Sequence, residues 1–141
     1  SDLATLQQRL PNLDAMIAAQ RANAVFLEQN LRLGPARLPI ENVRAVFNRF
    51  MYPIIFPSTE QRDAMAAYLK RHGIGTASPY EDTIEGAAEH YGYEGDCPAA
   101  ERTLKRTLVI PNYYTLRSID TERIARCVND AWAQITETRA T

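Results

Sequence analysis

The chain predicts an α+β domain of two layers, in which helices pack on a short three-stranded sheet and a long helix leads in from the N-terminus. Three observations carry that prediction. Apolar residues recur at alternating three- and four-residue spacing from Leu3 to Leu31. Two apolar runs, Phe50 to Phe56 and Leu108 to Ile110, are short and interrupted or closed by proline, as strands are. Between and after them lie segments with helix-start and helix-stop residues in the right order.

Leu3, Leu6, Leu10, Leu13, Ile17, Ala24, Leu27 and Leu31 form one stripe, with Gln20 in the remaining slot. A stripe sustained for about four heptads makes a helix of roughly 40 Å at 1.5 Å per residue. Pro11 is expected to kink it, because the proline ring clashes with the preceding turn. The domain division is therefore 1–33 for the kinked leading helix and 34–141 for the α+β body.

Gly34-Pro35-Ala36-Arg37-Leu38-Pro39 reads as a loop. Val46 to Phe56 reads as a strand buried on both faces, and Pro53, which cannot donate to a ladder, places it at an edge or a bulge. Ser58 and Gln61 have capping-box spacing and open a helix with Met65, Tyr68 and Leu69 inward. Arg71-His72 suits the negative end of that helix, and Gly73 stops it. Ile74 to Ala77 is the second predicted strand. Pro79 to Gly95 shows no period and is the expected functional loop, holding Tyr80, Glu89, His90, Tyr91 and Tyr93. Glu89 and His90 are adjacent in sequence but no nucleophile or metal partner accompanies them, so they are not read as an acid/base pair.

Asp96 or Cys97 can cap a helix whose first turn accepts Pro98 and which runs to about Arg106. Leu108-Val109-Ile110 closed by Pro111 is the third strand. Asn112 to Thr115 turns the chain, and Ser118 or Asp120 caps a last helix over 121–135. Leu108, Ile110, Ile124, Val128 and Trp132 are expected to share a core with Ile54 and Leu69.

The bulk properties narrow the function. A chain of 141 residues is one domain by size and can bury roughly 68% of its unfolded surface. Net charge is −1, which gives no footprint for nucleic acid. No apolar run reaches the ~20 residues of a membrane span. Cys97 and Cys127 have no metal-ligand spacing and are too few for a disulfide scaffold, so a reduced, cytoplasmic setting is expected. The chain opens on Ser1 rather than Met, which suits a piece of something longer. Its two lysines, Lys70 and Lys105, fall on the charged faces of predicted helices.

Cys97-Pro98-Ala99-Ala100-Glu101 followed by Val109-Ile110-Pro111-Asn112-Tyr113 resembles the C/F-P-x-A-E … L-x-L-P-x-Y signature of the DegT/DnrJ/StrS-like sugar aminotransferases. Ser1-Asp2-Leu3, Leu13-Asp14 and Arg21-Ala22-Asn23-Ala24 are similar to the family's segment entering the small domain. The resemblance implies the C-terminal small domain of a fold-type I pyridoxal-phosphate (PLP) transferase. It implies a parent that moves an amino group onto a keto sugar, usually nucleotide-linked, and whose large domain holds PLP through a lysine. That lysine, and the family's G-x-N-x-R phosphate contact, belong upstream of Ser1. No residue here is expected to be catalytic, cofactor-binding or metal-binding, and no cofactor is expected on this chain alone. The implied partners are the large PLP-binding domain, a nucleotide-sugar and further copies in a homo-oligomer, such as a dimer. The family's loop aromatic carries over to Tyr80 as a substrate-side residue, but Pro79 stands where the family has His. That departure leaves the parent's activity open. The alternative is a non-catalytic binding or oligomerisation module derived from such a domain.

Overall fold

The computed structural model describes residue 4 and residues 10–79 and 82–137. Helix α1 (Leu13–Asn30) is followed by strand β1 (Tyr52–Ile55), α2 (Thr59–Arg71), α3 (Thr83–Tyr91), α4 (Pro98–Arg106), β2 (Thr107–Ile110) and α5 (Ser118–Glu137). The class is α+β. Leu3 and Leu6 lie outside the described residues; Pro11 sits in a 3-10 turn, Leu10–Asn12, immediately before α1.

The sheet is smaller than the sequence predicts. Two antiparallel strands pair Tyr52 with Ile110, Pro53 with Val109, Ile54 with Leu108 and Ile55 with Thr107. The expected strand at Ile74 to Ala77 contributes one bridge, in which Ala77 and Val109 exchange hydrogen bonds of 3.0 and 2.7 Å. On the other side Arg37 and Ile55 exchange bonds of 2.9 and 3.0 Å. Each flanking segment thus touches the sheet at one residue, because the chain around it turns away to join a helix. Val109 spends its N–H and C=O on Ala77, so Pro53 opposite it occupies a non-hydrogen-bonded position. The donor that proline lacks would point to the outer side, where the pairing stops at Ile55. Pro53 is therefore an edge residue, in keeping with its chemistry.

Strand β1 is also shorter than the expected Val46–Phe56. Arg49 has φ of 59°, a left-handed conformation that costs a non-glycine residue about 1 kcal/mol or more. It breaks the two-residue alternation, so Phe50 turns outward while Tyr52 and Ile54 face the core.

Capping chemistry explains the helix ends. Ser58 Oγ accepts the Gln61 N–H at 3.3 Å, but the reciprocal half of the predicted box is missing, since Gln61 Oε1 is buried without a partner. At the other end of α2, Gly73 has φ of 70° and the Ile74 N–H reaches Leu69 O at 2.9 Å. That six-to-one bond is the Schellman arrangement. His72 stays at the helix end, its Nδ1 2.9 Å from Tyr68 O and its ring stacked on Tyr68. Helix α4 starts at Pro98 with Cys97 at the cap position, but the cap itself is borrowed. The Tyr93 hydroxyl accepts the Cys97 N–H and donates to Glu101 Oε1, both at 2.9 Å.

The segment 79–95, expected to be irregular, contains α3. It buries no residue fully, so no apolar stripe marks it in the sequence, and Gly92 ends it at φ of 66°. Tyr80 and Glu81 lie outside the described residues.

Helix α5 organises the packing, with Thr121, Ile124, Ala125, Val128, Ala131 and Trp132 buried. It lies against α2 and α1. Asn129 clips the end of α1 by accepting the Arg32 N–H at 2.8 Å and donating to Asn30 O at 2.9 Å. The seven residues expected to share a core do so, together with Leu27, Tyr52, Phe56 and Met65. Ile110→Ala and Ile124→Ala should each cost about 2–5 kcal/mol through lost burial and the cavity left behind. Urea melts check this; variants within ~0.5 kcal/mol of the parent, a surface value, would contradict the core assignment.

Candidate functional site

The residues that chemistry would first inspect are not gathered together. Lys70 and Lys105 are exposed on α2 and α4. His90 Nε2 stands 3.9 Å from Glu89 with both side chains largely in water, and among the described residues no third group completes a constellation. Among the described residues no cluster of His, Cys, Asp or Glu could hold a metal. Cys97 and Cys127 are free thiols. A groove of about 390 Å³ runs between α2 and α5, lined by Gln61, Tyr68, Arg71 and Ile135 among others.

The concentrated polar chemistry lies instead where α1, the segment 34–51 and the turn after β2 meet. Arg49 is buried, its side chain only 7% exposed. Its Nη1 approaches Glu28 Oε1 of α1 at 2.9 Å and its Nη2 approaches Glu41 Oε2 at 3.3 Å. The first contact is too bent for a hydrogen bond, since both atoms lack a well-formed one; it acts as a close ion pair. The guanidinium also sits 5.3 Å from the centre of the Phe47 ring. Arg21, one face of α1 away, donates to Glu41 Oε1 at 2.9 Å and to Phe47 O. Glu41 Oε1 further accepts the Phe47 N–H at 3.1 Å.

Asn112 closes the arrangement from the other strand. Its side chain donates to Arg49 O at 2.6 Å and to Gln20 O at 3.2 Å, while its own carbonyl accepts from Gln20 Nε2 at 3.3 Å. Asn23 holds the next residue by donating to Tyr113 O at 3.0 Å. The left-handed turn at Arg49 is thus over-determined. The reversed backbone gives its C=O to Asn112 and delivers its guanidinium to two carboxylates.

These neighbours set the titration of the site. The Arg21 guanidinium, with the Phe47 N–H, holds the Glu41 carboxyl below its usual range. Burial, aided by the Glu28 charge, pushes the Tyr52 phenol well above its usual value. Chemically the cluster is a fastener. Arg49 is charge-paired with Glu28 and Glu41, and it does not present a free cation to a substrate. Sequence reasoning treated Arg49 as part of a strand. The signal available was the Asn48-Arg49 pair inside an apolar run, since Asn48 Oδ1 accepts the Phe50 N–H at 3.2 Å in a local turn of the kind asparagine favours.

Removing one partner of a buried ion pair leaves the other uncompensated. Arg49→Ala should therefore cost about 3 kcal/mol in urea melts, the lower end of the range for such losses, because Glu28 and Glu41 keep 30% and 24% of their side-chain exposure. A depressed carboxyl contributes stability that is present above its ordinary pKa, near 4.5, and is lost as pH falls through the folded value. Stability should accordingly drop between pH 5 and pH 3 by more in the parent than in Glu41→Gln, measured by the same melts. Equal acid sensitivity would show that Glu41 is not a coupled group.

Comparison with known proteins places this geometry in a family. No curated protein matches the chain. Among solved structures, the aminotransferase TlmJ from Streptoalloteichus hindustanus superposes with a TM-score of 0.83 at 27% identity, over 92% of this chain and 35% of that one. DesV from S. venezuelae, solved with a ketimine intermediate, gives 0.81 at 23% identity over 92% and 35%. Spr1654 from Streptococcus pneumoniae, a candidate sugar aminotransferase in its PLP form, gives 0.77 at 14% over 94% and 34%. The chain spans about a third of the length of these solved relatives. Residues 2–129 match the DegT/DnrJ/EryC1/StrS aminotransferase family, and the chain belongs to that family.

Proposed function

We propose that this chain is the small, substrate-side domain of a PLP-dependent aminotransferase that transfers an amino group to a nucleotide-linked keto sugar. The observation that carries the reading is the family match over residues 2–129, supported by the likeness to about a third of the length of solved aminotransferases, among them the candidate sugar aminotransferase Spr1654. In this reading the missing two thirds of such an enzyme include the large domain that binds PLP, and the parent acts in the cytoplasm as a homo-oligomer. Tyr80, which matches the family's loop aromatic in sequence, is the substrate-side residue of this reading, and Pro79 in place of the family's His alters how the sugar is met.

The residues present do not suit PLP. The cofactor needs a lysine to form a Schiff base and a partner for its ring nitrogen. Lys70 and Lys105 stand exposed on helix surfaces, and neither faces the Arg49 cluster or the α2–α5 groove. The chemistry of amino-group transfer is therefore assigned to the parent's large domain, and this chain's contribution is to shape and close the substrate side.

Two measurements test the reading. The natural gene product should be longer, with a large α/β domain carrying the Schiff-base lysine. Borohydride reduction in the presence of PLP, followed by mass spectrometry, should label a lysine of that domain and neither Lys70 nor Lys105. A stoichiometric, fold-dependent pyridoxyl group on either lysine would overturn the division of labour. A natural product without the large domain would leave the non-catalytic module instead.

A further inference from the structure

The segment between Leu33 and Tyr52 is unusual in combining a fixed backbone with apolar side chains held in water. Ile40 is 94% exposed, Val43 100% and Val46 82%, and Phe50 and Tyr113 are exposed beside them across the Asn112–Arg49 hydrogen bond. A loop of this length with no helix or strand of its own is uncommon in a compact domain unless it binds something. This one is fastened from within by Arg49, Glu28, Glu41 and Arg21, and Arg49 takes a left-handed backbone to do so. Such a fastening fixes where Ile40, Val43 and Val46 stand; it buries none of them. Five branched or aromatic side chains are exposed on this segment and at its base, and an exposed apolar area of a few hundred Å² is the size that marks an interaction surface.

We propose that the arm 39–50, with Phe50 and Tyr113 at its base, is the docking surface for the large PLP-binding domain of the parent. The proposal rests on the functional reading above and names the surface through which the two domains meet. Three observations favour this occupant over a second copy or an unrelated protein. The solved relatives carry about two thirds of their length outside the region matched by this chain, so a large body is available on the same polypeptide. The tip Val43-Arg44-Ala45-Val46 holds a single charge, as suits a face that stays dry within one protein. The arm is pinned to α1 through Arg21 and Glu28, and α1 opens on the exposed Leu13, with Leu10 exposed just before it. Exposed apolar side chains thus occur both on the arm and at the start of the helix that holds it. Arg49 is a positioning residue, which sets the arm at the angle the large domain meets.

Hydrogen–deuterium exchange compares the full-length parent with this chain at equal, low concentration. Amides of 40–47 should exchange about tenfold or more slowly in the parent, the protection expected of a surface that has become an interface. The triple variant Ile40→Ser, Val43→Ser, Val46→Ser in the parent should abolish that protection and leave the exchange of β1, β2 and α5 unchanged. In the parent, Arg49→Ala should weaken the protection of 40–47, and Arg49→Lys should restore part of it. Equal exchange of 40–47 in the parent and in this chain overturns the proposal, while PLP content of that same parent still supports the functional reading. Protection that appears in this chain as concentration rises, with a dimer in sedimentation, overturns it in favour of a second copy. A natural product without a large domain overturns both.

Discussion

A guanidinium taken out of water must be met by carboxylates or neutralised, and an arginine cannot be neutralised. Arg49 therefore imposes more order on this molecule than any single apolar contact. It needs Glu28, which fixes the last turns of α1, and Glu41, which fixes the arm. Its backbone carbonyl needs Asn112, which fixes the exit of β2. Three segments that no regular element connects become one unit through this side chain. Neither member of the Arg49–Glu28 contact is ideally aligned, so its value lies in charge neutralisation and placement more than in hydrogen-bond strength. That suits a device whose purpose is geometry.

The rest of the core is conventional and independent of that device. Phe56 and Trp132 meet with ring centroids 5.8 Å apart, joining the end of β1 to α5, and Asn129 fastens α5 to the end of α1. Helix α1 is consequently held twice. Apolar residues and Asn129 secure its C-terminal end, while the Arg49 cluster holds it at Glu28 in the last turns and at Arg21 in the middle. The sheet contributes little area of its own, with four residues in each strand. A two-stranded ribbon is marginal alone, and this one persists because Tyr52, Ile54, Leu108 and Ile110 are buried under the helices.

Period and punctuation made much of this legible in the sequence. Helices α2 and α5 have strong stripes, and Gly73, Pro98 and Pro111 mark their neighbours' boundaries; these features follow from local chemistry, which a sequence displays directly. Asn112 was visible only as a turn residue, although it is among the most buried polar groups, because its partners Gln20 and Arg49 are distant in the chain. The same holds for Arg49. The sequence predicts Phe50 within a strand buried on both faces, whereas the strand starts only at Tyr52, after the left-handed Arg49, and Phe50 is exposed. Helix α3 escaped because it has no core to face, so propensity acted without a stripe. The second predicted strand was overestimated for a related reason, as Ile74 to Ala77 has strand composition but only Ala77 finds a partner. Tyr80, the one substrate-side residue the sequence nominated, lies outside the described residues.

The distribution of chemistry over the surface bears on what such a domain contributes. The outward side of α2 carries Asp63, Lys70 and Arg71, a solvated face. The opposite character belongs to the arm, where charges gathered around the buried Arg49 support exposed aliphatic residues. Ordinarily the order is reversed, with charges outside and aliphatic side chains within. Inverting it costs desolvation of the charges and hydration of the apolar groups together, and the isolated domain recovers neither. Covering Ile40, Val43 and Val46 would return the apolar term at roughly 25 cal/mol per Å² of apolar area removed from water, and it would lower the effective dielectric around Arg49 and its carboxylates, strengthening their attraction. The two costs are thus relieved by a single event. An arm built in this way is stiffer and better paired when covered than when bare, which couples docking of the covering body to the geometry of Asn112 and Tyr113 at the end of β2.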